Sequence, residues 1–535
     1  MKLNLNRLIT LLLTTLILSV PAAFATQPFS SDQLVGLWSA ERIFGPEVKG
    51  ELTIESGNDS ATASINGYDV TVAVKDSRIS FDLPYDLGSF RGQINQGMLR
   101  GYWIQPRTIQ SGVTYATPVE FTESTSGRWV GNVRPMQDVM TFFMPVTIDS
   151  TGELRTYLVN PERNVGKYIG VQSMTCDGEN INLLGPTSRN DSTQQVLLGG
   201  TYDAYDTVIS VYMPGAGGSF DFHPAPAAEM AKFSPRGISS DKFVYFPPPV
   251  EDDGWEVGSV DDVGISRDSI SNFVKMLIDM PTKSVHSPRI DGFLLARHGK
   301  LVVEEYFHGF HRTALHDTRS ASKSLTSLMV GAAIEKGYPV SLKTPVYETL
   351  YGPSEANSVD PRKAAITVRN LLTMSSGLDC DDSDPNSKGG EDIMQEQSAQ
   401  PDWYRYTLEQ KMVRAPGEKA VYGSANANLL GGLLAKTTAA WLPDLFRDLI
   451  ADPLQIHDYA MNLTPTGDAY MGGGVRFRPR DFMKIGQVIL DSGKWHGKQI
   501  IGSDWAEQSV QPLYDLEGVK YGYLWWIVDY PYKNG

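Results

Sequence analysis

The chain has 535 residues, of which 41% are hydrophobic and 10% aromatic, and a formal net charge of −15. This length is too great for one hydrophobic core and predicts two or three domains. The negative charge, with no cluster of basic residues, argues against binding to a nucleic-acid backbone. The composition therefore predicts a well-packed globular protein without a nucleic-acid partner.

Residues 1–25 have the pattern of a secretory signal peptide. Lys2 and Arg7 precede a mainly apolar run over residues 8–20, and small residues flank Phe24 before a predicted cleavage near Ala25. No later stretch approaches 18 consecutive apolar residues, and no cysteine follows the apolar run, so neither stable membrane insertion nor a lipid anchor is expected. We expect a bacterial protein of the periplasm, or a secreted one.

Residues 27–222 predict an all-β domain. Short alternating runs such as "ELTIES", "DVTVAV" and "TVISVYMP" are separated by Gly, Asn, Asp or Pro about every 8–12 residues. A barrel or a sandwich would close such strands. A similar strand rhythm, from "GLWSAE" to "GYWIQP" and again from "FFMPVTID" to "DTVISVYMP", suggests two related units.

Residues 223–264 are rich in proline and acidic residues, which predicts a linker or a strap between domains. Beyond them, "SRDSISNFVKMLIDM" predicts a serine-capped amphipathic helix, and "GFLLARHGKLVVEEYFHGF" predicts a hairpin that turns at His298-Gly299-Lys300. This mixture predicts an α+β domain over residues 265–535, with an antiparallel sheet flanked by helices.

The stretch "SASKSLTSLMVG" at residues 320–331 places a serine and a lysine three positions apart at a helix start. Residues three apart lie on one face of a helix, so the Ser320 hydroxyl and the Lys323 amine can meet. A serine needs a base to become a nucleophile, and burial can lower the pKa of a lysine enough for this task. The alternative is a surface lysine without a catalytic role.

A second stretch, "PGEKAVYGSANANLLGGLL" at residues 416–434, begins about 100 residues later. It places Tyr422 and Ser424 on a short loop before an apolar helix, where a tyrosine can relay protons. Alone, Tyr422 could equally be a packed core residue. Together with the S-x-x-K turn, the pair favours a catalytic site.

Most of the second half of the chain resembles the β-lactamase-related serine hydrolases, the group of class C β-lactamases, DD-peptidases and esterases. Within that group it is most similar to the branch of 6-aminohexanoate-dimer hydrolase. The resemblance is carried by "DDGWEVGS", "RSASKSLTSLMVG", "ITVRNLLTMSSGLD", "VYGSANANLLG" and "GGGVRFRPRDFMKIGQVIL". Class C β-lactamases have Tyr-x-Asn where this chain has Tyr422-x-Ser424, as in the amidase and esterase branch. This departure argues against an antibiotic-hydrolysing enzyme.

The resemblance implies acyl transfer in two steps. Ser320 would attack an ester or amide carbonyl while Lys323 takes its proton, and Tyr422 would pass a proton to the leaving group. The Ser320 N–H would supply half of an oxyanion hole, and Ser424 would hold the hydrogen-bond network together. A small-molecule ester, amide or peptide is the expected substrate. A penicillin-recognising sensor, or a cell-wall or carbohydrate-binding protein with an inactive hydrolase domain, is the alternative.

Further residues are weaker candidates. Trp403 and Tyr404 in "PDWYRY" would wall the substrate cleft or pack in the core, and Gly472 and Gly473 in "MGGGV" would permit close backbone approach near the cleft or form a plain turn. The sequence has no H-E-x-x-H, C-x-x-C or G-x-S-x-G motif, and its eight histidines are scattered, so neither a metal nor a cofactor is expected.

The two cysteines, Cys176 and Cys380, could form a disulfide, although two separate thiols are favoured. Oligomeric state does not follow from the sequence.

The last residues predict an incomplete domain. The family's third element is a K-T-G, H-x-G or G-x-G strand that lines the cleft. Residues 523–530 predict a strand, and Lys533-Asn534-Gly535 follows Trp525-Trp526 too closely to be that element. We therefore expect a fragment truncated at its C-terminus, with an open sheet edge and an incomplete oxyanion hole.

Overall fold

The structure is a computed structural model that describes residues 31–57, 60–109, 112–162, 169–187, 193–280 and 289–530. The predicted signal peptide and the Lys533-Asn534-Gly535 end lie outside the described residues. No helix in the part of the chain that the structure describes is long and apolar enough to cross a membrane.

The first part of the chain is built of strands, which confirms an all-β region. Alternating burial along these strands, such as Ala61–Ile65, places apolar side chains on one face. The described strands are β1 (Gly36–Gly45), β2 (Gly50–Ser56), β3 (Ala61–Ile65), β4 (Tyr68–Lys75), β5 (Arg78–Asp82), β6 (Ser89–Asn95), β7 (Met98–Ile104), β8 (Thr114–Thr125), β9 (Arg128–Val133), β10 (Asp138–Ile148), β11 (Leu154–Thr156), β12 (Ser173–Asp177), β13 (Asn180–Gly185), β14 (Gln195–Asp203), β15 (Val208–Met213) and β16 (Gly218–Pro224).

Two closed arrangements use these strands. Strands β1 and β10–β16 form a closed barrel in the order β1-β10-β11-β12-β13-β14-β15-β16. Strands β2–β9 form consecutive antiparallel pairs, and β9 pairs with both β2 and β8, so this set also closes on itself. The predicted likeness between two units of this region stays a prediction.

Short strands and helices alternate in the rest of the chain. The strands are β17 (Glu256–Val257), β18 (Gly292–Arg297), β19 (Lys300–Tyr306), β20 (His316–Asp317), β21 (Tyr459–Leu463), β22 (Val475–Phe477), β23 (Lys494–Trp495), β24 (Lys498–Gln499), β25 (Tyr514–Leu516), β26 (Val519–Tyr521) and β27 (Trp526–Ile527). The helices are α1 (Ala227–Phe233), α2 (Arg267–Ile278), α3 (Lys323–Glu335), α4 (Val346–Tyr351), α5 (Pro353–Ala356), α6 (Pro361–Ala364), α7 (Val368–Leu372), α8 (Glu391–Glu396), α9 (Trp403–Glu409), α10 (Ser424–Thr438), α11 (Leu442–Phe446), α12 (Pro479–Leu490) and α13 (Ser503–Ser509).

The hairpin and the capped helix predicted from sequence are both present. Strands β18 and β19 pair antiparallel around His298 and Gly299, whose φ angles of 52° and 76° suit a tight hairpin turn. The Ser266 side chain accepts a hydrogen bond from Ser269 N at the start of α2. The small sheet is not wholly antiparallel, because β17 pairs parallel with β19.

The structure divides the chain after Pro224, close to the predicted boundary of residues 222 and 223, but it also divides the all-β region before that point. One compact unit contains the described residues of Met1–Trp38, Met144–Leu158 and Ile169–Pro224, and a second contains those of Ser39–Phe143, Val159–Tyr168 and Ala225–Gly535. The physical reason lies in backbone pairing. Within the second unit, β8 pairs with β21, and the order β20-β22-β21-β8-β7-β6-β5-β4-β3-β2-β9 is one continuous sheet of eleven strands.

The segment predicted as a linker packs as a strap on the second unit. Phe243, Tyr245, Asp253 and Trp255 are all buried, and the Trp255 indole donates to the Arg480 carbonyl at 2.8 Å. Burial of this many side chains is incompatible with a free tether.

Helices α3 and α10 form the centre of the core beneath the candidate site. Both are buried over most of their length, including several polar residues, as expected for helices enclosed on every side. Gly331 of α3 allows this packing, because a Cβ there would lie 2.5 Å from the Trp505 ring. This packing therefore fixes the positions of the first residues of both helices.

Candidate active site

Ser320 and Lys323 meet at the start of α3. Ser320 is exposed on a 3₁₀ turn, Arg319–Ser322, while Lys323 is the first residue of the helix and only 1% exposed. The Lys323 amine donates to the Ser320 hydroxyl oxygen at 2.9 Å and to the Gly472 carbonyl at 2.5 Å. The pair predicted from their spacing is thus in hydrogen-bond contact.

The surroundings of Lys323 make its amine easier to deprotonate than that of an exposed lysine. Burial lowers its pKa from the ordinary 10.5, whereas the nearby charges of Glu391 and Asp382 raise it, and burial has the larger effect. A neutral amine beside an exposed hydroxyl can accept its proton, which is the condition for a serine nucleophile.

Tyr422 completes this group. Its ring centroid lies 5.0 Å from the Lys323 amine, and its hydroxyl is near enough to Ser320 for that side chain to lower its pKa. Burial raises the pKa of Tyr422 to about 12, against the lowering effect of the Ser320 side chain. The tyrosine therefore stays protonated near neutral pH and can donate.

Two further aromatic rings lie next to Tyr422. The Trp526 ring lies 5.4 Å away and tilted by 32°, and the Tyr521 ring lies edge-on at 6.5 Å. Trp526 is 45% exposed, so an apolar surface adjoins the reacting groups. The sequence interpretation missed these two residues, although "YGYLWW" is dense in aromatics.

Ser424 is fully buried and turned toward an acidic side chain. Its backbone N–H and its hydroxyl both donate to Asp382 Oδ2, at 2.8 and 2.7 Å. Asp382 and Glu391 were not predicted from the sequence. The signal available was the stretch "GLDCDD", whose first residues belong to one of the motifs that carry the family resemblance.

Gly472 and Gly473 lie where the backbone passes close to the site. A Cβ at Gly472 would lie 2.4 Å from the Tyr470 hydroxyl and 2.8 Å from the Ser424 carbonyl, so no larger residue fits. A Cβ at Gly473 would lie 3.5 Å from the Arg319 carbonyl. The Gly472 carbonyl is also an acceptor for Lys323, as described above.

Trp403 and Tyr404 lie in the helical core, which favours the packing alternative over a cleft wall. Trp403 is 7% exposed and meets the Tyr470 ring edge-on at 5.5 Å. Tyr404 packs on α10, where a Cβ at Gly432 would lie 2.9 Å from its ring. No described contact joins either residue to Ser320 or Lys323.

Two other features lie apart from the site. Cys176 and Cys380 are separate free thiols, the first half-buried and the second buried. A cavity of about 910 Å³ is lined by Tyr115, Tyr459 and Arg476, among others, but not by Ser320, Lys323 or Tyr422. Among the described residues, no group of three or more His, Cys, Asp and Glu side chains could hold a metal ion.

Comparisons with known proteins found a matching family model and similar proteins. The model of the beta-lactamase family matches residues 289–530. The 6-aminohexanoate-dimer hydrolase of Paenarthrobacter ureafaciens is 29% identical over 235 residues, which cover 41% of this chain. The match spans 56% of the length of that relative.

Two solved structures show weaker likeness. A penicillin binding protein from Bacillus halodurans is 17% identical, over 41% of this chain and 70% of that one, with a TM-score of 0.32. EstCE1, a hydrolase with promiscuous acyltransferase activity, is 19% identical, over 44% and 76%, with a TM-score of 0.36. Such low TM-scores add nothing to the family match. On the strength of that match, residues 289–530, which contain Ser320, Lys323 and Tyr422, are similar to the beta-lactamase family.

Proposed function

We propose that this protein is an exported serine hydrolase that cleaves an ester or amide bond through an acyl-enzyme on Ser320. The carrying observation is the 2.9 Å hydrogen bond from the buried Lys323 amine to the exposed Ser320 hydroxyl. A lysine buried for structural reasons alone would not require a hydroxyl that faces solvent beside it. The pattern of residues 1–25 supports export.

Acylation begins at the Ser320 hydroxyl. Its oxygen attacks the substrate carbonyl while its proton passes to the neutral Lys323 amine, and a tetrahedral oxyanion forms. The Ser320 backbone N–H at the start of α3 supplies one donor to that oxyanion. Collapse breaks the bond to the leaving group, which takes a proton from Tyr422.

Deacylation uses the same residues in reverse. Water attacks the Ser320 ester and gives a proton to Tyr422, and the Ser320 oxygen regains its proton as the acid leaves. Acylation leaves Lys323 as the ammonium ion and Tyr422 as the phenolate, so the proton of the water restores Tyr422 and the Lys323 ammonium, which contacts Ser320, returns the serine proton. No redox cofactor or co-reactant other than water is needed.

Ester and amide substrates are favoured over β-lactams. The 6-aminohexanoate-dimer hydrolase relative is named for an amide substrate, and Ser424 replaces the asparagine of the class C motif. Here the Ser424 N–H and hydroxyl both donate to Asp382, so they are not available to bind substrate as an exposed asparagine could.

Turnover of p-nitrophenyl acetate and butyrate by the purified full chain tests this proposal. We expect continuous turnover by the wild-type chain. The Ser320→Ala variant should lose this turnover, whereas the Ser322→Ala variant, a matched change on the same turn, should keep it. A panel of esters, short peptides, D-amino-acid amides and β-lactams then ranks the substrates. A single stoichiometric burst would favour the alternative of a non-hydrolytic sensor. The absence of any reaction would contradict the proposal.

A further inference from the structure

Asp382 joins three parts of the candidate site through one carboxylate. Its Oδ2 accepts the two hydrogen bonds from Ser424, and its Oδ1 accepts the Glu391 backbone N–H at 2.9 Å. Ser424 and Glu391 are the first residues of α10 and α8, so one side chain caps two helix N-termini. Unpaired N–H groups and the helix dipole make both termini favourable for a carboxylate.

The backbone of Asp382 holds the tyrosine itself. Its N–H donates to the Tyr422 carbonyl at 3.0 Å, so residues on both sides of Gly423 are tied to Asp382. The two chain segments approach closely at this point, because a Cβ at Gly423 would lie 1.9 Å from the Cys380 carbonyl. The loop that carries Tyr422 therefore has little freedom to move while this contact is intact.

The negative charge of Asp382 also acts on the Lys323 amine. The charged groups that act on the Lys323 amine are Asp382 and Glu391, and the ring of Tyr422 lies beside it. Glu391 is held in place by the Tyr470 hydroxyl, which donates to its Oε1 at 2.6 Å. Both carboxylates favour the ammonium form, against the effect of burial.

We propose that Asp382 is the positioning residue of this site: it fixes the Tyr422–Ser424 loop within reach of Ser320 and acts on Lys323 through its charge. The inference rests on the proposed function, and it assigns to Asp382 two effects that can be separated. The first effect is geometric and changes the rate at every pH. The second is electrostatic and changes the pH at which the lysine becomes a base.

Asp382→Asn tests both effects in the full chain. The amide cannot accept from Ser424 and from Glu391 with the same geometry, so kcat for p-nitrophenyl butyrate should fall about 10- to 100-fold. Removal of the negative charge lowers the pKa of Lys323 further. The ascending limb of the pH profile of kcat/KM should therefore move to lower pH by roughly one unit. A merely structural role would lower the rate without moving this limb.

Three variants complete the experiment. Asp384→Asn changes an exposed aspartate of the same loop, and its kcat and pH profile should equal those of the wild type. Ser424→Ala removes one hydroxyl donor, so it should lower kcat without moving the limb. Glu391→Gln removes the second charge and should move the limb in the same direction. Circular dichroism and thermal unfolding report whether each variant is folded.

The outcomes distinguish the inference from the proposed function. Wild-type kcat in Asp382→Asn, or a lowered kcat with an unmoved limb, overturns the inference and leaves the Ser320 assignment standing. If Asp382→Asn does not fold, the Ser424→Ala and Glu391→Gln pair decides by the same two readouts. A wild-type chain without Ser320-dependent turnover overturns both.

Discussion

Burial and the neighbouring charges shift the pKa of the Lys323 amine in opposite directions. Burial disfavours the ammonium ion, whereas Asp382 and Glu391 favour it, and the net effect is a pKa below 10.5. Buried lysines are costly, so the position is explained by the contact with Ser320 rather than by packing. The residue therefore links the local sequence motif to the proposed chemistry.

The pH dependence of the activity should report this balance. Lys323 must be neutral to accept the Ser320 proton, so kcat/KM should rise with pH along a limb centred below 10.5. Tyr422, with a pKa of about 12, stays protonated over that range and adds no descending limb there. Ester hydrolysis measured from about pH 5 to 10, with the spontaneous rate subtracted, tests this. A flat profile would contradict a lysine base.

Lys323→Arg should abolish turnover while leaving the fold intact. A guanidinium keeps its proton under these conditions, so it cannot serve as a base, and the rate should fall by about 100-fold or more. Lys336→Arg, at the exposed end of the same helix, is the matched control and should retain full activity. If the Lys323 variant keeps most of its activity, the lysine is only structural.

The proximity of Ser320, Lys323 and Tyr422 could be predicted from the sequence. The acidic residues that surround them could not. Ser320 and Lys323 are three apart on one helix, and Tyr422 lies in a local loop motif, so short-range pattern was sufficient. Asp382 supports the site only because the N-termini of α8 and α10 converge on its carboxylate, and Glu391 is the first residue of α8. Such convergence depends on tertiary structure, which one sequence does not display.

At the scale of elements, α12 is joined to the strap and to β19 by buried ion pairs. Arg480 has no exposed surface, and its guanidinium contacts Asp253 at 2.6 Å and Glu304 at 2.9 Å. The sequence predicted the hairpin that contains Glu304 but assigned Asp253 to a linker, because the partner of Asp253 lies 227 residues away. Long-range pairs of this kind leave no local pattern.

Arg480→Met should strongly destabilise the protein. It removes the cation paired with the buried Asp253 carboxylate and leaves Glu304 with only the more distant Arg312 at 3.8 Å, which costs about 3–5 kcal/mol of unfolding free energy. Arg128→Met is the control, since its pair with Glu55 at 2.7 Å is 42% and 54% exposed, and should cost less than about 1 kcal/mol. Urea unfolding of both variants measures the difference. Equal losses would show that burial of the Arg480 pairs contributes nothing.

On the scale of the whole molecule, strands β2–β9 are part of the unit that carries the site. Strand β8 pairs with β21, matching Ala116 with Met461, and the Tyr102 hydroxyl lies 2.7 Å from that of Tyr459. The change in composition at residue 223 predicted a boundary there. The structure has a division after Pro224, close to that boundary, but strands β2–β9 belong to the later unit through strand pairing between residues more than 300 positions apart, which composition does not reveal.

A chain that begins at Ala225 should therefore fail to fold stably. It lacks the pairing partner of β21 and exposes an unpaired strand edge with apolar neighbours, which promotes aggregation. Size-exclusion chromatography of this chain and of the full chain, purified in parallel, measures the effect. A soluble monomer with the same esterase activity as the full chain would contradict the continuous sheet.

Covalent labelling of the full chain by a fluorophosphonate probe tests the central claim most directly. Peptide mapping by mass spectrometry should find the adduct on Ser320, the hydroxyl to which the buried lysine amine donates. The adduct should disappear in Ser320→Ala and remain in Ser322→Ala. An adduct that persists in Ser320→Ala, or that maps to another serine in the wild type, would contradict the assignment of the nucleophile.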